Sequence, residues 1–248
     1  MGRARDRRDW EELAELDPLW AVATKPGTRF AGWDVEAFFA AGERRIDSLM
    51  RTAQRLGVPR GRDAALDFGC GVGRLTRPLA HRFDEALGVD VSEAMVARAR
   101  ELNAEVRDCR FAINARADLG ELEDASFDLV HSRLVLQHIA PAEVTGSWLP
   151  ELVRVLRPGG LLTFQLPARL PLRARLQVQR RVYRGLRSLG VPAAFAYRRL
   201  RLQPMRMTAI APAVVRATLE AAGARVLEVS ERPTRSGVVS ATYLATRD

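Results

Sequence analysis

The sequence has two cysteines, one lysine and no long apolar run. Cys70 and Cys109 are too few and too far apart for a disulfide scaffold or a zinc cluster, so we predict no metal site. No apolar stretch approaches the roughly 20 residues that a membrane helix needs. The charged start of the chain, MGRARDRRDWEEL, also lacks the apolar segment of a signal peptide. We therefore expect a soluble, cytoplasmic protein without a transmembrane segment.

Acidic residues are missing from one segment of the chain. No aspartate or glutamate lies between Leu152 and Leu219, although the same segment contains 14 arginines. Lys25 is the only lysine, so arginine supplies nearly all of the positive charge. Because the whole chain has a net charge of +9, the remainder is net acidic. The positive charge therefore needs a local explanation, which is either a compositional bias or a surface that binds anions.

Short apolar runs alternate with helical patterns from Ala64 onward, which is typical of parallel strands linked by crossover helices. Five strands are predicted, over residues 64–68, 85–89, 110–113, 127–132 and 161–165. Two later runs, RVLEVSE and GVVSATYLATR, flank the turn-rich RPTRS and predict an antiparallel hairpin. The predicted fold class is α/β, with a doubly wound, mostly parallel seven-stranded sheet and an antiparallel C-terminal hairpin.

Capping residues mark where the predicted helices begin and end. Asp34 is predicted to begin a helix that has an apolar stripe, and Gly57 to end it. Ser92 is predicted to begin the helix EAMVARARELN. Pro212 lies in the first turn of the last helix, which Gly223 ends. The stretch PAEVTGSWLPELVRVL is predicted as a helix that ends at RPGG, before the fifth strand.

Residues 66–76, LDFGCGVGRLT, place three glycines at alternate positions after an apolar strand. Gly69, Gly71 and Gly73 satisfy GxGxG, whereas the dinucleotide fingerprint GxGxxG would need a small residue in place of Arg74. This difference disfavours a nicotinamide dehydrogenase. Glycine allows the backbone to approach a ligand closely. Asp90, at the end of the second strand, is placed to accept hydrogen bonds from both hydroxyls of a ribose.

Four motifs in this order resemble class I S-adenosylmethionine-dependent methyltransferases of the small-molecule type. They are LDFGCGVGRLT, GVDVSEAMVARAR, SFDLVHSRLVLQHI and ELVRVLRPGGLL, and the resemblance covers about residues 60–166. It implies a Rossmann-like fold with S-adenosylmethionine as cofactor. It also implies in-line methyl transfer to an oxygen, nitrogen or carbon atom of a small molecule.

We divide the chain into four segments on this basis. Residues 1–59 are predicted as an N-terminal helical lid that contacts substrate, and residues 60–166 as the cofactor-binding core. Residues 167–210 are predicted as a basic helical cap insertion. Residues 211–248 then supply a helix and a β-hairpin that complete the core.

The resemblance also implies roles for individual residues. Asp67 and the glycine loop would hold the methionine end of the cofactor, and Asp90 its ribose. Ser132 would lie beside the amino-acid moiety, and the residues beside the adenine would be Val91, Ala115 and Arg116. The predicted cofactor-binding set is Asp67, Gly69, Cys70, Gly71, Gly73, Asp90, Val91, Ala115, Arg116 and Ser132.

The sulfonium already activates the methyl group, so alignment of the nucleophile matters most, and positioning can contribute up to roughly 7 to 11 kcal/mol. A general base is needed only if the nucleophile must lose a proton. His138, in LVLQHI, is the candidate base, with a packing role at the start of a helix as the alternative. His131 and Arg133 flank Ser132 and are candidate substrate contacts.

Three aromatic residues lie close together before the first strand. Trp20, Phe30 and Trp33 are predicted either to form a lid over cofactor and substrate or to anchor the N-terminal helices to the core. The two alternatives differ in whether the rings reach the site.

Residues 171–189 are predicted as one amphipathic helix with a cationic stripe. The stripe consists of Arg173, Arg180, Arg184 and Arg187. The apolar side of the helix consists of Leu172, Leu176, Tyr183 and Leu186. The stripe is either a solvated face or a site for an anionic substrate, an acidic carrier protein, RNA phosphates or an anionic membrane. RNA ranks second because the segment offers few aromatic residues for base stacking.

The function predicted from the sequence is therefore methylation of a small molecule, which is anionic or carrier-tethered, in secondary or cell-envelope metabolism. The alternatives are an RNA methyltransferase that uses the arginine-rich cap and a cofactor-binding scaffold without catalysis.

Overall fold

A computed structural model describes residues 2–24, 27–30 and 32–248, with side chains from residue 7 onward. Seven strands form its centre. They are β1 (Ala64–Phe68), β2 (Glu85–Asp90), β3 (Cys109–Ile113), β4 (Phe127–Ser132), β5 (Leu156–Arg169), β6 (Ala224–Pro233) and β7 (Val239–Arg247). Their order in the sheet is β3-β2-β1-β4-β5-β7-β6. The five parallel strands and the antiparallel hairpin confirm the predicted fold class.

The chain reverses its direction of winding across the sheet at β1. Strands β2 and β3 lie on one side of β1, whereas β4 and β5 lie on the other. In the register of the sheet, Asp67 is paired with Gly88 of β2 and with His131 of β4. A reversal of this kind leaves a crevice at the carboxyl ends of the strands, where ligands bind in doubly wound folds.

Helices cover both faces of the sheet, and the predicted caps are confirmed. Asp34 accepts a 2.7 Å hydrogen bond from the Ala37 amide, and Ser92 accepts one of 3.1 Å from the Met95 amide. Gly57 ends its helix in the left-handed conformation, at φ 69°. The helices are α1 (Gly2–Leu16), α2 (Pro18–Val22), α3 (Val35–Leu56), α4 (Thr76–Ala80), α5 (Glu93–Leu102), α6 (Pro141–Glu143), α7 (Leu149–Arg154), α8 (Leu172–Arg175), α9 (Val178–Ser188), α10 (Ala193–Arg198) and α11 (Pro212–Ala221).

Two predicted boundaries near the fifth strand are wrong. A π-helical turn over Val144–Trp148 interrupts the helix predicted from residue 141, because Pro150 has no N–H group for an α-helical hydrogen bond. The fifth strand begins at Leu156, before the predicted residue 161, and continues to Arg169. The segment RPGG therefore belongs to the strand, where its pairing with β7 shifts register between Pro158 and Leu161.

The single helix predicted over residues 171–189 is also wrong. Gln177 adopts a left-handed conformation at φ 49° and separates α8 from α9. None of the helices in the described ranges combines the length and the apolar composition that crossing a bilayer requires.

Candidate functional site

A cavity of about 780 Å³ opens at the carboxyl edge of the sheet, beside the ends of β1, β2 and β4. The glycine loop and Asp90 form part of its wall, together with the segments that follow β3 and β4. Residues of α1 and α2 cover it from the N-terminal side. Its position matches the crevice that the strand order predicts.

The glycine loop presents its backbone to this cavity at very short range. Gly69 and Gly71 line the cavity and have positive φ angles of 75° and 54°. A Cβ atom at position 69 would lie 2.2 Å from a methyl group of Val135, and one at position 71 would lie 2.3 Å from a methyl group of Val22. Both the conformation and the space therefore require glycine.

Asp90 lies at the end of β2 with its carboxylate fixed by the backbone. One oxygen accepts a 2.9 Å hydrogen bond from the Gly71 amide, and the other accepts one of 3.0 Å from the Ser92 amide. Burial raises the pKa of Asp90, and these hydrogen bonds oppose that rise. Each oxygen retains lone pairs for a further donor at the cavity wall, so the geometry fits a pair of ribose hydroxyls.

Three residues predicted beside the adenine line the same cavity. Val91 follows Asp90 directly, and Ala115 and Arg116 follow β3. The Arg116 guanidinium is held by a 2.9 Å hydrogen bond to Asp118, so its side chain faces an acid of its own loop.

The other predicted cofactor residues support the loop from behind the cavity wall. Asp67 is buried and accepts a 2.8 Å hydrogen bond from the Thr76 hydroxyl, and its other oxygen lies 3.0 Å from Nδ1 of His131. Ser132 donates to the carbonyl of Phe68 at 3.0 Å. These contacts join β1, the loop and β4. The residues whose side chains or positions lie outside the cavity lining are Asp67, Cys70, Gly73, His131 and Ser132.

His138 lines the cavity as a neutral imidazole. Its Nδ1 atom lies 2.5 Å from the carbonyl oxygen of Arg206, a geometry in which Nδ1–H donates. Its Nε2 atom lies 3.2 Å from the side-chain nitrogen of Gln137 and accepts from it. Burial lowers the pKa of His138 to about 4, and the Arg206 carbonyl offsets this only in part. An imidazole of that pKa is a weak base at pH 7 and serves better as a hydrogen-bond acceptor.

Arg133 brings positive charge to the cavity wall. It has no hydrogen bond or ion pair with any other residue in the described part of the chain. Burial, together with the charges of Arg45 and Arg74, lowers its pKa to about 9. An anion beside this guanidinium would oppose both effects, so the wall is suited to a carboxylate or phosphate group.

Helix α1, which belongs to the predicted N-terminal lid segment, contributes residues to the cavity wall. Trp10 lines the cavity and lies edge-on to His138, with ring centroids 5.1 Å apart. Glu11 accepts hydrogen bonds from the Ser92 hydroxyl at 2.9 Å and from the Glu93 amide at 2.7 Å. The carboxylate therefore joins α1 to the first turn of α5. The dipeptide WE in a charged helix gave no distinctive signal for either contact.

The predicted lid aromatics lie elsewhere. Trp20 and Phe30 each pack edge-on against Tyr197, with ring centroids 5.5 Å apart. Trp33 packs against Phe38 at 5.4 Å. None of the three lines the cavity. Their contacts correspond to the anchoring alternative.

The predicted cationic stripe of the cap faces the protein. Arg184 pairs with Asp9 at 3.4 Å, and Arg187 pairs with Glu12. Arg180 donates to the carbonyl of Pro204 at 3.0 Å. These contacts attach α9 to α1 and to the segment that follows α10. The fourth arginine of the predicted stripe, Arg173 in α8, is exposed and donates to the carbonyl of Ser236.

A family model described as "Methyltransferase domain" matches residues 66–164. The matched region begins in β1, includes the glycine loop and Asp90, and ends in β5. It thus contains the sheet strands that form the floor of the cavity.

Curated relatives are similar to part of this chain. A trans-aconitate 2-methyltransferase from Deinococcus radiodurans is 39% identical over 112 residues, which are 42% of this chain and 37% of that protein. Another from Variovorax paradoxus is 37% identical over 129 residues, which are 50% of this chain and 47% of that protein. The chain therefore covers less than half the length of these two relatives.

Solved structures share the fold over the whole chain. Magnesium protoporphyrin IX methyltransferase from Synechocystis, with bound S-adenosylhomocysteine, superposes with a TM-score of 0.64 at 20% identity, over 99% of each chain. The fold, the sheet order and the family match all indicate a methyltransferase. Residues 66–164 thus match the methyltransferase-domain family, and the sheet order is that of the class I S-adenosylmethionine-dependent methyltransferase fold.

Proposed function

We propose that the protein transfers a methyl group from S-adenosylmethionine to a small molecule that carries an anionic group. One observation carries this proposal: the same cavity has a ribose-type acid, Asp90, on one wall and, on another, the guanidinium of Arg133, which has no partner among the described residues. The cavity therefore offers a hydrogen-bond acceptor for the ribose of a nucleoside and a positive charge for an anion. Its volume of about 780 Å³ is within the range of pockets that hold a cofactor together with a small substrate.

The residues at the cavity fit the cofactor of the family. Asp90 would bind the ribose, and the backbone of Gly69 and Gly71 would lie against the amino-acid end, where a Cβ atom has no space. Val91 and Ala115 would contact the adenine. When bound, S-adenosylmethionine supplies an activated methyl group.

The chain contributes orientation and exclusion of water to the reaction. Arg133 would hold an anionic group of the acceptor, while Trp10 and the rest of α1 cover the cavity. Neutral His138 would position this wall rather than contact the acceptor, because the lone pair of its Nε2 atom already accepts a hydrogen bond from Gln137. Alignment of this kind is the main requirement for in-line methyl transfer.

The relatives support an anionic acceptor class. They are named for trans-aconitate, which is a carboxylate. The alternative of RNA methylation loses its main support, because Arg180, Arg184 and Arg187 of the proposed phosphate-binding stripe contact the protein itself.

The test is transfer of labelled methyl from S-adenosylmethionine into a cell extract that is separated into small molecules, RNA, protein and lipid. We expect label in small molecules that bind an anion-exchange resin and survive nuclease.

Asp90→Asn should weaken cofactor binding by about tenfold or more, since hydrogen bonds to a charged acceptor contribute roughly 1.5 to 3 kcal/mol each. Glu101→Gln, which removes an exposed acid of α5, is the matched control. Label in RNA, or unchanged cofactor affinity in Asp90→Asn, would contradict the proposal.

A further inference from the structure

The outward face of the cap is apolar, although the cap is the most arginine-rich part of the chain. Val178, Val182 and Leu189 lie on α9 or directly after it, at spacings that place them on one helix face. Their exposed fractions are 55%, 46% and 81%. We call these three residues the cap stripe. In α8, which directly precedes α9, Leu172 is also 70% exposed.

The opposite face of α9 explains why the cap stripe points outward. Tyr183 is buried and donates a 3.0 Å hydrogen bond to Glu12 of α1. Arg184 and Arg187 pair with the acids Asp9 and Glu12 on the same side. These contacts fix the rotation of α9 about its axis, so the cap stripe cannot turn inward without breaking them.

Exposed positive charge borders the cap stripe. Arg181 lies on the same face of α9, and Arg175 lies at the end of α8. Both are exposed, and neither side chain forms a hydrogen bond or ion pair with any residue of the described ranges. Arg198 and Arg199 in the neighbouring α10 region are also exposed and unpaired within those ranges. No acidic residue occurs between Leu152 and Leu219 to neutralise them.

We propose that the cap stripe and its bordering arginines dock the protein on an anionic lipid surface. Apolar side chains on one helix face, bordered by arginines, match the chemistry of a helix that lies in the membrane interface plane. The arginines would contact lipid phosphates, while the cap stripe enters the acyl boundary. The charge argues against a second copy of the chain on this face, because a symmetric contact would bring together two surfaces that both carry positive charge.

Flotation of the full chain with lipid vesicles tests this inference, without cofactor or acceptor. The result is therefore independent of the proposed methyl transfer. We expect binding to vesicles of phosphatidylcholine mixed with phosphatidylglycerol, and binding weaker by about tenfold or more to phosphatidylcholine alone. Added salt should reduce the binding to the anionic vesicles.

Variants separate the cap stripe from general surface hydrophobicity. Val178→Ser/Val182→Ser/Leu189→Ser should lose vesicle binding by about tenfold or more, because its apolar contribution is removed. Val35→Ser/Val214→Ser removes two exposed valines of other helices, with exposed fractions of 43% and 49%, and should bind as the unaltered protein does. All five positions are exposed, so these variants should fold.

The charge contribution has its own variant, Arg175→Gln/Arg181→Gln, which should weaken binding to anionic vesicles and flatten its dependence on salt. Three results would overturn the proposal. The first is that the unaltered protein does not float with anionic vesicles. The second is that the triple serine variant floats as well as the unaltered protein. The third is that ultracentrifugation without lipid shows a dimer that the triple variant abolishes.

Discussion

Glu12 of α1 accepts a 3.0 Å hydrogen bond from the hydroxyl of Tyr183 on α9 and also pairs with Arg187. This carboxylate links the helix that covers the cavity to the cap. Helix α1 and the cap are therefore joined at this carboxylate, so a movement of one either displaces the other or breaks the contact.

Glu12→Gln should loosen this contact while it retains the size of the side chain. The loss of a hydrogen bond and an ion pair to a charged group costs roughly 1.5 to 3 kcal/mol, which corresponds to about tenfold or more in local opening. Hydrogen exchange measured by mass spectrometry should therefore become faster in α1 and α9. Glu15→Gln, at an exposed acid of the same helix, is the control. Equal exchange in the two variants would show that Glu12 does not hold α1.

Gly71→Ala should weaken binding of S-adenosylmethionine by about tenfold or more. The new Cβ atom would lie 2.3 Å from a methyl group of Val22, at a backbone φ of 54°. The clash displaces α2 from the loop, and the conformation is itself unfavourable for alanine. Calorimetric titration with the cofactor measures the loss.

Val22→Ala in the same protein separates the two causes of that loss. Removing the valine methyl groups relieves the clash and leaves the backbone conformation unchanged. We expect partial recovery of cofactor affinity in the double variant. The absence of any recovery would assign the whole effect to the loop itself.

Arg133→Gln should raise the KM for the methyl acceptor by about tenfold or more, with little change in the affinity for S-adenosylmethionine. The reason is that its guanidinium, which has no partner in the part of the chain that the structure describes, is available for a charge-assisted hydrogen bond to an anionic acceptor. Steady-state kinetics and cofactor titration together measure both values. Arg98→Gln, on the exposed side of α5, controls for the loss of one positive charge. A collapse of cofactor affinity instead would assign the guanidinium to the cofactor carboxylate.

His138 should make stability fall at acid pH. The unfolded chain takes up a proton near pH 6.5, whereas the pKa of about 4 in the folded protein delays uptake. The folded state is therefore favoured fully above pH 6.5, and this advantage decreases by up to roughly 3 kcal/mol as the pH falls towards 4. Denaturant unfolding across this interval measures it.

His138→Gln should remove that component of the pH dependence and leave the contributions of other groups. His81→Gln is the control, because the side chain of His81 is 47% exposed. A slope between pH 6.5 and 4 that is identical in His138→Gln and the unaltered protein would contradict the buried, neutral imidazole.

Local patterns predicted the parallel core of the fold well, because the elements there depend on nearby residues. The glycine spacing at 69, 71 and 73 and the acid Asp90 predicted a ligand crevice, and the strand order places a cavity there. The caps Asp34 and Ser92 follow from side-chain hydrogen bonds within one turn. Such features need no knowledge of distant parts of the chain.

The errors lie where distant parts of the chain meet. Periodicity separated the arginine side of α9 from its apolar side, but it could not show which side faces the protein. That choice depends on Asp9 and Glu12, more than 170 residues away. The contacts of Trp10 and Glu11 with the cavity depend equally on how α1 docks. Local sequence patterns therefore do not predict contacts between residues that are far apart in the sequence.

The position of β7 constrains the order in which the sheet can be completed. Strand β7 pairs with β5 on one side and with β6 on the other, whereas β6 pairs with β7 alone. During synthesis, one long edge of β5 stays unpaired until residues 239–247 have left the ribosome. Exposed strand edges promote aggregation. The nascent chain is therefore exposed to aggregation through this edge in the interval between synthesis of β5 and synthesis of β7.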